Sequence, residues 1–309
     1  MTEPAVHRTD TSRTDASRTD ASRTDASRTD ASQTAMNRTA TARTGPSRID
    51  TTRPHPARVY DWFLGGKDNY PVDEELGRQI MAIETGAPRA AHANRRFMQR
   101  ATRRLARKTG IRQFLDIGTG IPTEPNLHQI AQSVAPDARV VYVDNDPIVL
   151  AHAEALLHGT PEGVTEYLQA DARDPRGILE QARRVLDFDR PIALSLIALL
   201  HFVADEDGAY ELVDALVEAL APGSCLVLSA MTADFEPEHV RRGIATYAAG
   251  GVTLVARSQA EMGGFFKGLE VMEPGIVSVA DWHPELTAEG EKPDGQGPVS
   301  LYGAVGLKP

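Results

Sequence analysis

The chain has 309 residues, and its 33 basic and 43 acidic side chains give a formal net charge of −10 at pH 7. This acidic balance argues against a general nucleic-acid binder, although it leaves room for a local basic groove. A single cysteine, Cys225, excludes an internal disulfide framework and a cysteine-rich metal site. The longest apolar run, residues 192–200, has about half the length that crosses a bilayer. We therefore expect a cytoplasmic protein without a membrane segment.

Residues 1–56 are a low-complexity tail. An arginine recurs at every fifth position from Arg8 to Arg53, with Gln33 as the exception, and the repeating unit is Arg-Thr-Asp-Ala-Ser. A period of five matches neither a helix face nor a strand face, and Thr, Asp and Ser compete locally for backbone hydrogen bonds. We predict a disordered repeat without chemistry. The alternatives are a weak electrostatic tether and a phosphorylation array.

Two or three helices follow the tail, and we assign residues 57–110 to an N-terminal helical cap. The predicted helices cover residues 57–64, 73–84 and 88–108. The stretch from residue 89 to residue 108 contains eight basic residues and no acidic one. A solvated helix face explains this charge run better than a contact with RNA or DNA.

From residue 111 to residue 309 the pattern predicts one α/β domain. Short apolar strands alternate with helical segments, which favours a parallel sheet covered by helices on both faces. The predicted strands are residues 113–117, 140–143, 165–169, 192–197 and 224–229, and the clearest helix is 205–220. Residues 275–280 and 299–305 are two further strands, joined by a polar loop too short for a standard crossover helix. They predict an antiparallel hairpin at the edge of the sheet.

The strongest motif is a strand that runs into a Gly-x-Gly turn, Gly118-Thr119-Gly120. The two glycines let the backbone turn tightly and approach a ligand closely. Asp144 ends the next strand, where a carboxylate can accept hydrogen bonds from both ribose hydroxyls. The combination indicates an adenosine pocket.

The same region distinguishes a dinucleotide from a methyl donor. Thr123 replaces the third glycine of the dinucleotide fingerprint, and Pro122 lacks the N–H that could bind a pyrophosphate. The carboxylate of Asp116 would repel a diphosphate, whereas a sulfonium cofactor with an ammonium group tolerates it. Asp171, after the third strand, suits an adenine amino group. These residues favour a methyl donor.

The motifs resemble the class I S-adenosylmethionine-dependent methyltransferases, and more narrowly a bacterial S-adenosyl methyltransferase family first catalogued as a domain of unknown function. The similarity runs from about residue 57 to the C-terminus and leaves the tail outside. Its Gly-Gly-Lys-Asp-Asn segment is the most family-specific piece, and the Gly-x-Gly loop is the most generic. The segments that carry the similarity are residues 58–70, 94–97, 116–123, 143–147, 170–172 and 198–203.

The resemblance implies a Rossmann-like, seven-stranded, mostly parallel sheet with an antiparallel last strand. It places the cofactor, S-adenosylmethionine, at the carboxyl ends of the first two strands. It assigns Asp116, Gly118 and Gly120 to the methionine side of the cofactor, Asp144 to the ribose, and residues 171–172 to the adenine.

The helical cap supplies further candidates. The segment around Tyr60 and Asn69 could fold over the cofactor as a lid, although its turn-forming residues also suit a simple turn. Arg95 is a candidate partner for the cofactor carboxylate. The full set of cofactor-binding residues that we predict is Tyr60, Asn69, Arg95, Asp116, Gly118, Thr119, Gly120, Asp144, Asn145, Asp171 and Ala172.

Methyl transfer does not oblige any residue to be catalytic, because a base is needed only where the acceptor must lose a proton. His201 follows the fourth strand at its carboxyl edge and is our candidate catalytic residue, which lines the acceptor pocket or takes a proton. The alternative for His201 is a packing or capping role beside the following helix. Trp282 and His283 could shape the acceptor pocket or simply pack. The scattered histidines predict no metal site.

We therefore predict an S-adenosylmethionine-dependent methyltransferase that acts on an unidentified small molecule, without a nucleic-acid or membrane partner. One alternative is an NAD(P)-dependent oxidoreductase. The other is a regulator that binds S-adenosylmethionine without catalysis.

Overall fold

Three helices precede the sheet in the computed structural model, which describes residues 49–156, 159–287, 295 and 297–309. They are α1 (Pro56–Phe63), α2 (Pro71–Ile83) and α3 (Ala87–Arg104), and a π-helical turn, Leu105–Thr109, extends α3. Their positions confirm the helices predicted for the cap. Within the described part of the chain, no helix is both long and apolar enough to cross a membrane. The repeat of residues 1–48 lies outside the described residues.

An eight-stranded sheet with helices on its faces forms the rest of the described chain. Its strand order is β3-β2-β1-β4-β5-β8-β6, and β7 also pairs with β8. The strands are β1 (Gln113–Ile117), β2 (Arg139–Asp144), β3 (Val164–Gln169), β4 (Ala193–Ile197), β5 (Cys225–Met231), β6 (Glu270–Val271), β7 (Val277–Ser278) and β8 (Leu301–Leu307). The remaining helices are α4 (Leu127–Val134), α5 (Pro147–Leu156), α6 (Pro175–Ala182), α7 (Ala209–Glu218), α8 (Pro237–Ala249) and α9 (Gln259–Gly264).

The direction of the strands confirms the class I methyltransferase fold. The first five strands are parallel, and β8 is antiparallel to β5. The short strands β6 and β7 both pair antiparallel with β8, on the edge that β5 leaves open. Together they occupy the seventh position of the sheet as one interrupted strand.

The antiparallel hairpin predicted at the edge of the sheet is confirmed: β7 lies at the edge and pairs with β8, which lies between β5 and the β6–β7 edge. The buried pattern of β8 fits this interior position. The helix predicted for residues 205–220 starts only at Ala209, because Gly208 adopts a φ of +83° and separates α7 from a short 3-10 turn.

The core lies on both faces of the sheet, as the alternation of side chains in β1 requires. Phe114 packs on one face with Phe97 of α3, and Leu115 packs on the other with Leu212 of α7. A parallel sheet with both faces covered explains why the strand sequences read as continuous apolar runs.

Arg58 joins the N-terminal segment to the body. Its buried guanidinium lies 3.6 Å from the carboxylate of Asp73 and 3.5 Å from that of Asp146. It also donates to the backbone carbonyls of Asp50 (3.0 Å) and Arg53 (3.2 Å). The folded body therefore includes residues that the sequence prediction assigned to the tail, whose boundary was set at residue 56.

Two truncated proteins test whether the folded body begins near residue 49 or at residue 57. Removal of residues 1–48 is expected to leave the free energy of unfolding unchanged, because the described contacts to Arg58 begin at Asp50. Removal of residues 1–56 also deletes the acceptors of a buried guanidinium, at a cost of about 1–3 kcal/mol. Urea unfolding of both proteins measures the difference. Equal midpoints would show that residues 50–56 do not stabilise the body.

Candidate functional site

A tight glycine turn follows β1. Gly118 and Gly120 have φ angles of +73° and +67°, which side chains other than glycine rarely adopt. The N–H of Gly118 donates to the carbonyl of Val143 at 2.8 Å, so the turn is fixed against the end of β2. A Cβ at Gly120 would meet no atom within 4 Å, whereas one at Gly118 would lie 2.7 Å from Leu199. The backbone at Gly120 therefore borders open space.

That space is a cavity of about 230 Å³ at the carboxyl ends of the parallel strands, which we call the first cavity. Ten of the eleven predicted cofactor-binding residues line it, and Asn69 does not. The ten are Tyr60, Arg95, Asp116, Gly118, Thr119, Gly120, Asp144, Asn145, Asp171 and Ala172. The topology thus gathers residues from α1, α3 and three strand ends around one chamber.

Asp116 is a buried carboxylate in the wall of this cavity. The hydroxyl of Thr119 donates to it at 2.6 Å, and its residue is 8% exposed. Burial raises the pKa of Asp116 to about 6, although the Thr119 hydrogen bond and the charge of Arg95 oppose the shift. A cation placed in the cavity would favour the ionised form of this carboxylate.

Arg95 faces the same region from α3. Its guanidinium donates to the carbonyls of Thr123 and Pro125, so it stabilises the loop that follows the glycine turn. The structure therefore gives Arg95 backbone partners in addition to its place in the cavity wall. Its contact with a cofactor carboxylate stays a prediction.

Asp144 connects the two loops that carry the motif. Its carboxylate accepts hydrogen bonds from the N–H of Gly120 at 2.8 Å and from the N–H of Asp146 at 3.0 Å. Burial raises the pKa of Asp144 above its ordinary value. Because each carboxylate oxygen has a second lone pair, Asp144 can still accept hydrogen bonds from a ligand.

Asp171 is more exposed and has a charged partner. The guanidinium of Arg173 lies 2.6 Å from its carboxylate, and this hydrogen-bonded ion pair lowers the pKa of Asp171. Asp171 is therefore ionised at neutral pH. Its predicted contact with adenine would have to share the carboxylate with Arg173.

Tyr60 is tied to the sheet by a chain of hydrogen bonds. Its hydroxyl donates to the carbonyl of Ala91 at 2.9 Å and accepts from the amide of Asn94 at 3.0 Å. The amide oxygen of Asn94 in turn accepts from the hydroxyl of Ser229 in β5 at 2.6 Å. This chain fixes the aromatic wall of the first cavity, and sequence reasoning missed Asn94 and Ser229.

The Gly-Gly-Lys-Asp-Asn segment wraps around Asp61, which also lines the first cavity. The carboxylate of Asp61 accepts from the amide of Asn69 at 2.8 Å and from the N–H of Asp68 at 3.0 Å. A Cβ at Gly66 would lie 1.9 Å from that carboxylate, so only glycine fits. Asn69 is thus placed behind Asp61, outside the cavity wall. Sequence reasoning missed Asp61, although it lies within the quoted family segment.

His201 lines a different space, a second cavity of about 110 Å³. The two cavities adjoin, since Pro56, Tyr60, Ala198 and Phe202 line both. The wall between them is therefore formed mainly by apolar and aromatic side chains.

The imidazole of His201 is neutral and oriented. Its Nδ1 accepts the N–H of Met231 at 3.3 Å, which places the ring proton on Nε2. Burial, with the charge of Arg257, lowers the pKa of His201 to about 3. At neutral pH this ring can donate a hydrogen bond from Nε2 but is a poor acceptor of a proton.

The remaining candidates pack in the interior. Trp282 is fully buried and meets Phe97 edge to face, with 5.2 Å between the ring centroids, which supports the packing interpretation. In the basic run of α3, the buried Arg100 donates to the carbonyls of Trp282 and Val279. Part of that run therefore has a structural role, which disfavours a nucleic-acid contact.

Comparison with known proteins identifies close relatives. The family model described as S-adenosyl methyltransferase matches residues 42–309, so the match begins before residue 57. A DUF574 family protein from Streptomyces avermitilis is 52% identical, with a TM-score of 0.80 over 85% of this chain and 100% of that chain. A putative methyltransferase from Thermobifida fusca is 39% identical, with a TM-score of 0.75 over 83% and 95%. No curated protein matches the chain.

Proposed function

The chain belongs to the S-adenosyl methyltransferase family, and on that premise we propose that the first cavity binds S-adenosylmethionine and the second cavity binds a small-molecule methyl acceptor. The observation that carries this proposal is that Tyr60, Ala198 and Phe202 line both cavities, so the two chambers lie side by side. A donor in the first cavity and an acceptor in the second would approach each other at these shared residues.

Three features of the first cavity support its assignment to the cofactor. The open backbone at Gly120 leaves room for a ligand that a larger side chain would displace. Asp144, with its free lone pairs, suits the ribose hydroxyls, and residues 171–172 suit the adenine. The buried carboxylate of Asp116 suits the positive charge of the methionine part, since a buried anion without a cation is costly.

Bound S-adenosylmethionine supplies a methyl group on a positively charged sulfur. In the transfer that this cofactor would support, a lone pair on the acceptor would form the new bond to the methyl carbon. The electron pair of the broken carbon–sulfur bond would stay on sulfur, and any proton on the acceptor atom would pass to water. The protein contributes mainly position, which is worth about 7–11 kcal/mol in well-oriented cases. We assign this role to the rigid wall that Tyr60, Asn94 and Ser229 fix.

His201 fits a positioning role better than that of a general base. With Nδ1 engaged by the Met231 N–H and a pKa near 3, the ring has no basic nitrogen ready for a proton at neutral pH. Its Nε2–H can donate to an acceptor in the second cavity. We also place the protein in the cytoplasm, a proposal that its single cysteine supports.

Titration calorimetry with S-adenosylmethionine, S-adenosylhomocysteine and NAD(H) tests the assignment of the first cavity. We expect micromolar binding of the first two compounds and none of the third, because Asp116 and Pro122 oppose a diphosphate. Binding of NAD(H) alone would favour the oxidoreductase alternative. Cofactor binding without methylation of any acceptor would favour the regulator.

A further inference from the structure

The second cavity has an apolar body. Side chains from α1, α2, α8 and the segments around them form most of its wall. Six of them belong to one cluster: Phe63, Ile80, Phe202, Met231, Tyr247 and Leu254. Because these side chains pack together, the wall is built from ordered side chains. Such a surface gains free energy when an apolar ligand displaces water from it.

Two carboxylates interrupt this apolar wall. Glu84 follows the last residue of α2 and Glu236 precedes the first residue of α8, and both line the second cavity but not the first. They therefore lie away from the wall that the two cavities share. A ligand in this chamber would have one end near the carboxylates and the other near the cofactor.

One carboxylate oxygen is incompletely satisfied. Glu84 Oε1 accepts the N–H of Gly86 at 2.7 Å, whereas Oε2 is buried and has no hydrogen-bond partner among the described residues. Burial, followed by the charge of Glu236, raises the pKa of Glu84. A buried carboxyl oxygen without a donor is destabilising, and the N–H of a cationic ligand would remove that cost and favour the ionised form of Glu84.

Two basic side chains lie near this pair of carboxylates. His239 Nδ1 lies 3.5 Å from Glu84 and 4.0 Å from Glu236, and its side chain is half exposed. Arg89 also lines the second cavity, but its guanidinium donates to the carbonyls of Gly297 and Pro298. The wall of the chamber thus holds two carboxylates against one guanidinium that is engaged by backbone carbonyls, a balance that favours a cationic ligand over an anionic one.

We propose that the methyl acceptor is a small organic amine, whose apolar body fills the second cavity and whose ammonium group binds between Glu84 and Glu236. The proposal rests on the proposed function of the two cavities. An ammonium nitrogen has no lone pair and cannot attack the methyl carbon. The reacting atom is therefore a second heteroatom of the same molecule, placed near Tyr60 and Phe202 at the shared wall.

A bound metal ion is the competing explanation for this cluster. The ligand atoms of Glu84, Glu236 and His239 lie within 4.8 Å of one another, a grouping that the sequence spacing did not predict. A metal ion alone would not require the apolar wall beside it. The organic amine accounts for both the carboxylates and the apolar surface.

Matched probes test the proposal on the full-length protein saturated with S-adenosylhomocysteine. The pairs are tyramine with 4-ethylphenol and hexylamine with hexanol, which share an apolar body and differ in the ammonium group. We expect calorimetry to show at least one amine binding about tenfold or more tightly than its neutral counterpart. The Glu84→Gln/Glu236→Gln protein should lose this preference and keep its affinity for S-adenosylhomocysteine. The exposed neighbour Glu238→Gln is the control and should behave as the wild type.

Equal affinities within both pairs, or a preference that survives the double substitution, would overturn the proposal. Binding of Zn²⁺ or Mg²⁺ that depends on Glu84 and Glu236, without an amine preference, would also overturn it in favour of the metal ion. If S-adenosylhomocysteine itself fails to bind, the assignment of the first cavity is wrong instead. Thermal melting of the double variant confirms that it is folded, since glutamine oxygen at position 84 can still accept the Gly86 N–H.

Discussion

The Asp116→Asn protein is expected to unfold at a higher temperature than the wild type at pH 7.5 without ligand, yet to bind S-adenosylmethionine at least about tenfold more weakly. Both effects come from one buried carboxylate. Its charge is costly in the empty cavity and favourable beside a cationic ligand. Asparagine keeps the oxygen that accepts the Thr119 hydroxyl, so the loop geometry should persist.

The dependence of this effect on pH follows from the direction of the shift. The pKa of Asp116 rises from 3.8 to about 6 on folding, so its stabilising contribution is complete below pH 3.8 and is lost as pH rises through 6. A rise of that size corresponds to at most about 3 kcal/mol. The difference in melting temperature between variant and wild type should therefore be small at pH 4 and largest above pH 7.

Melting curves between pH 4 and pH 8 measure this difference, with the exposed Asp214→Asn as the control. For the wild type, the affinity for S-adenosylmethionine should rise between pH 5 and pH 7 as Asp116 ionises, and in Asp116→Asn this rise should disappear. A variant less stable than the wild type at pH 7.5 would show that the ionised carboxylate is stabilised in the folded protein. Unchanged affinity would remove Asp116 from the cofactor site.

Local sequence patterns were sufficient to predict seven of the eight strands and ten of the residues that line the first cavity. The carboxyl ends of parallel strands meet at one edge, so Gly118, Asp144 and Asp171 could be brought together from strand order alone. The strand β6 was not predicted, because a strand of two residues is too short to show the alternation of apolar and polar side chains that indicates a strand. The ion pairs of Arg58 with Asp73 and Asp146 were not predicted, because these residues are distant in sequence and no local pattern links them.

The second cavity could not be predicted for a related reason. Its wall combines α1, α2 and α8 with the turn that carries His201, and only the tertiary packing sets their distances. Glu84 and Glu236 are separated by most of the sheet in sequence, and each alone looks like an ordinary helix-end residue. His201 was correctly placed near a strand end, but the hydrogen bond from Met231 that fixes its proton is visible only in the structure.

Asp144→Ala is expected to weaken the binding of S-adenosylhomocysteine by about 5-fold to 150-fold, corresponding to 1–3 kcal/mol. The substitution removes the predicted acceptor for the ribose hydroxyls. It also leaves the N–H groups of Gly120 and Asp146 without their shared acceptor, so the two loops lose their connection. Calorimetry measures the affinity, and the melting temperature shows whether the variant is folded.

A thermodynamic cycle that combines the Asp144→Ala substitution with a modified ligand separates the loss of the ribose contact from the loss of the connection between the loops. If Asp144 binds the ribose, the 2′-deoxy form of S-adenosylhomocysteine should bind the wild type more weakly than the parent compound but bind Asp144→Ala about equally well. If Asp144 only holds the loops, removal of the hydroxyl should cost the same affinity in both proteins. Asn serves as the intermediate case at position 144, because its single oxygen can accept only one of the two N–H groups at the positions that the carboxylate oxygens occupy. An Asp144→Asn protein that binds the parent compound as tightly as the wild type would contradict both roles, since it would show that neither the second oxygen nor the charge contributes to the site.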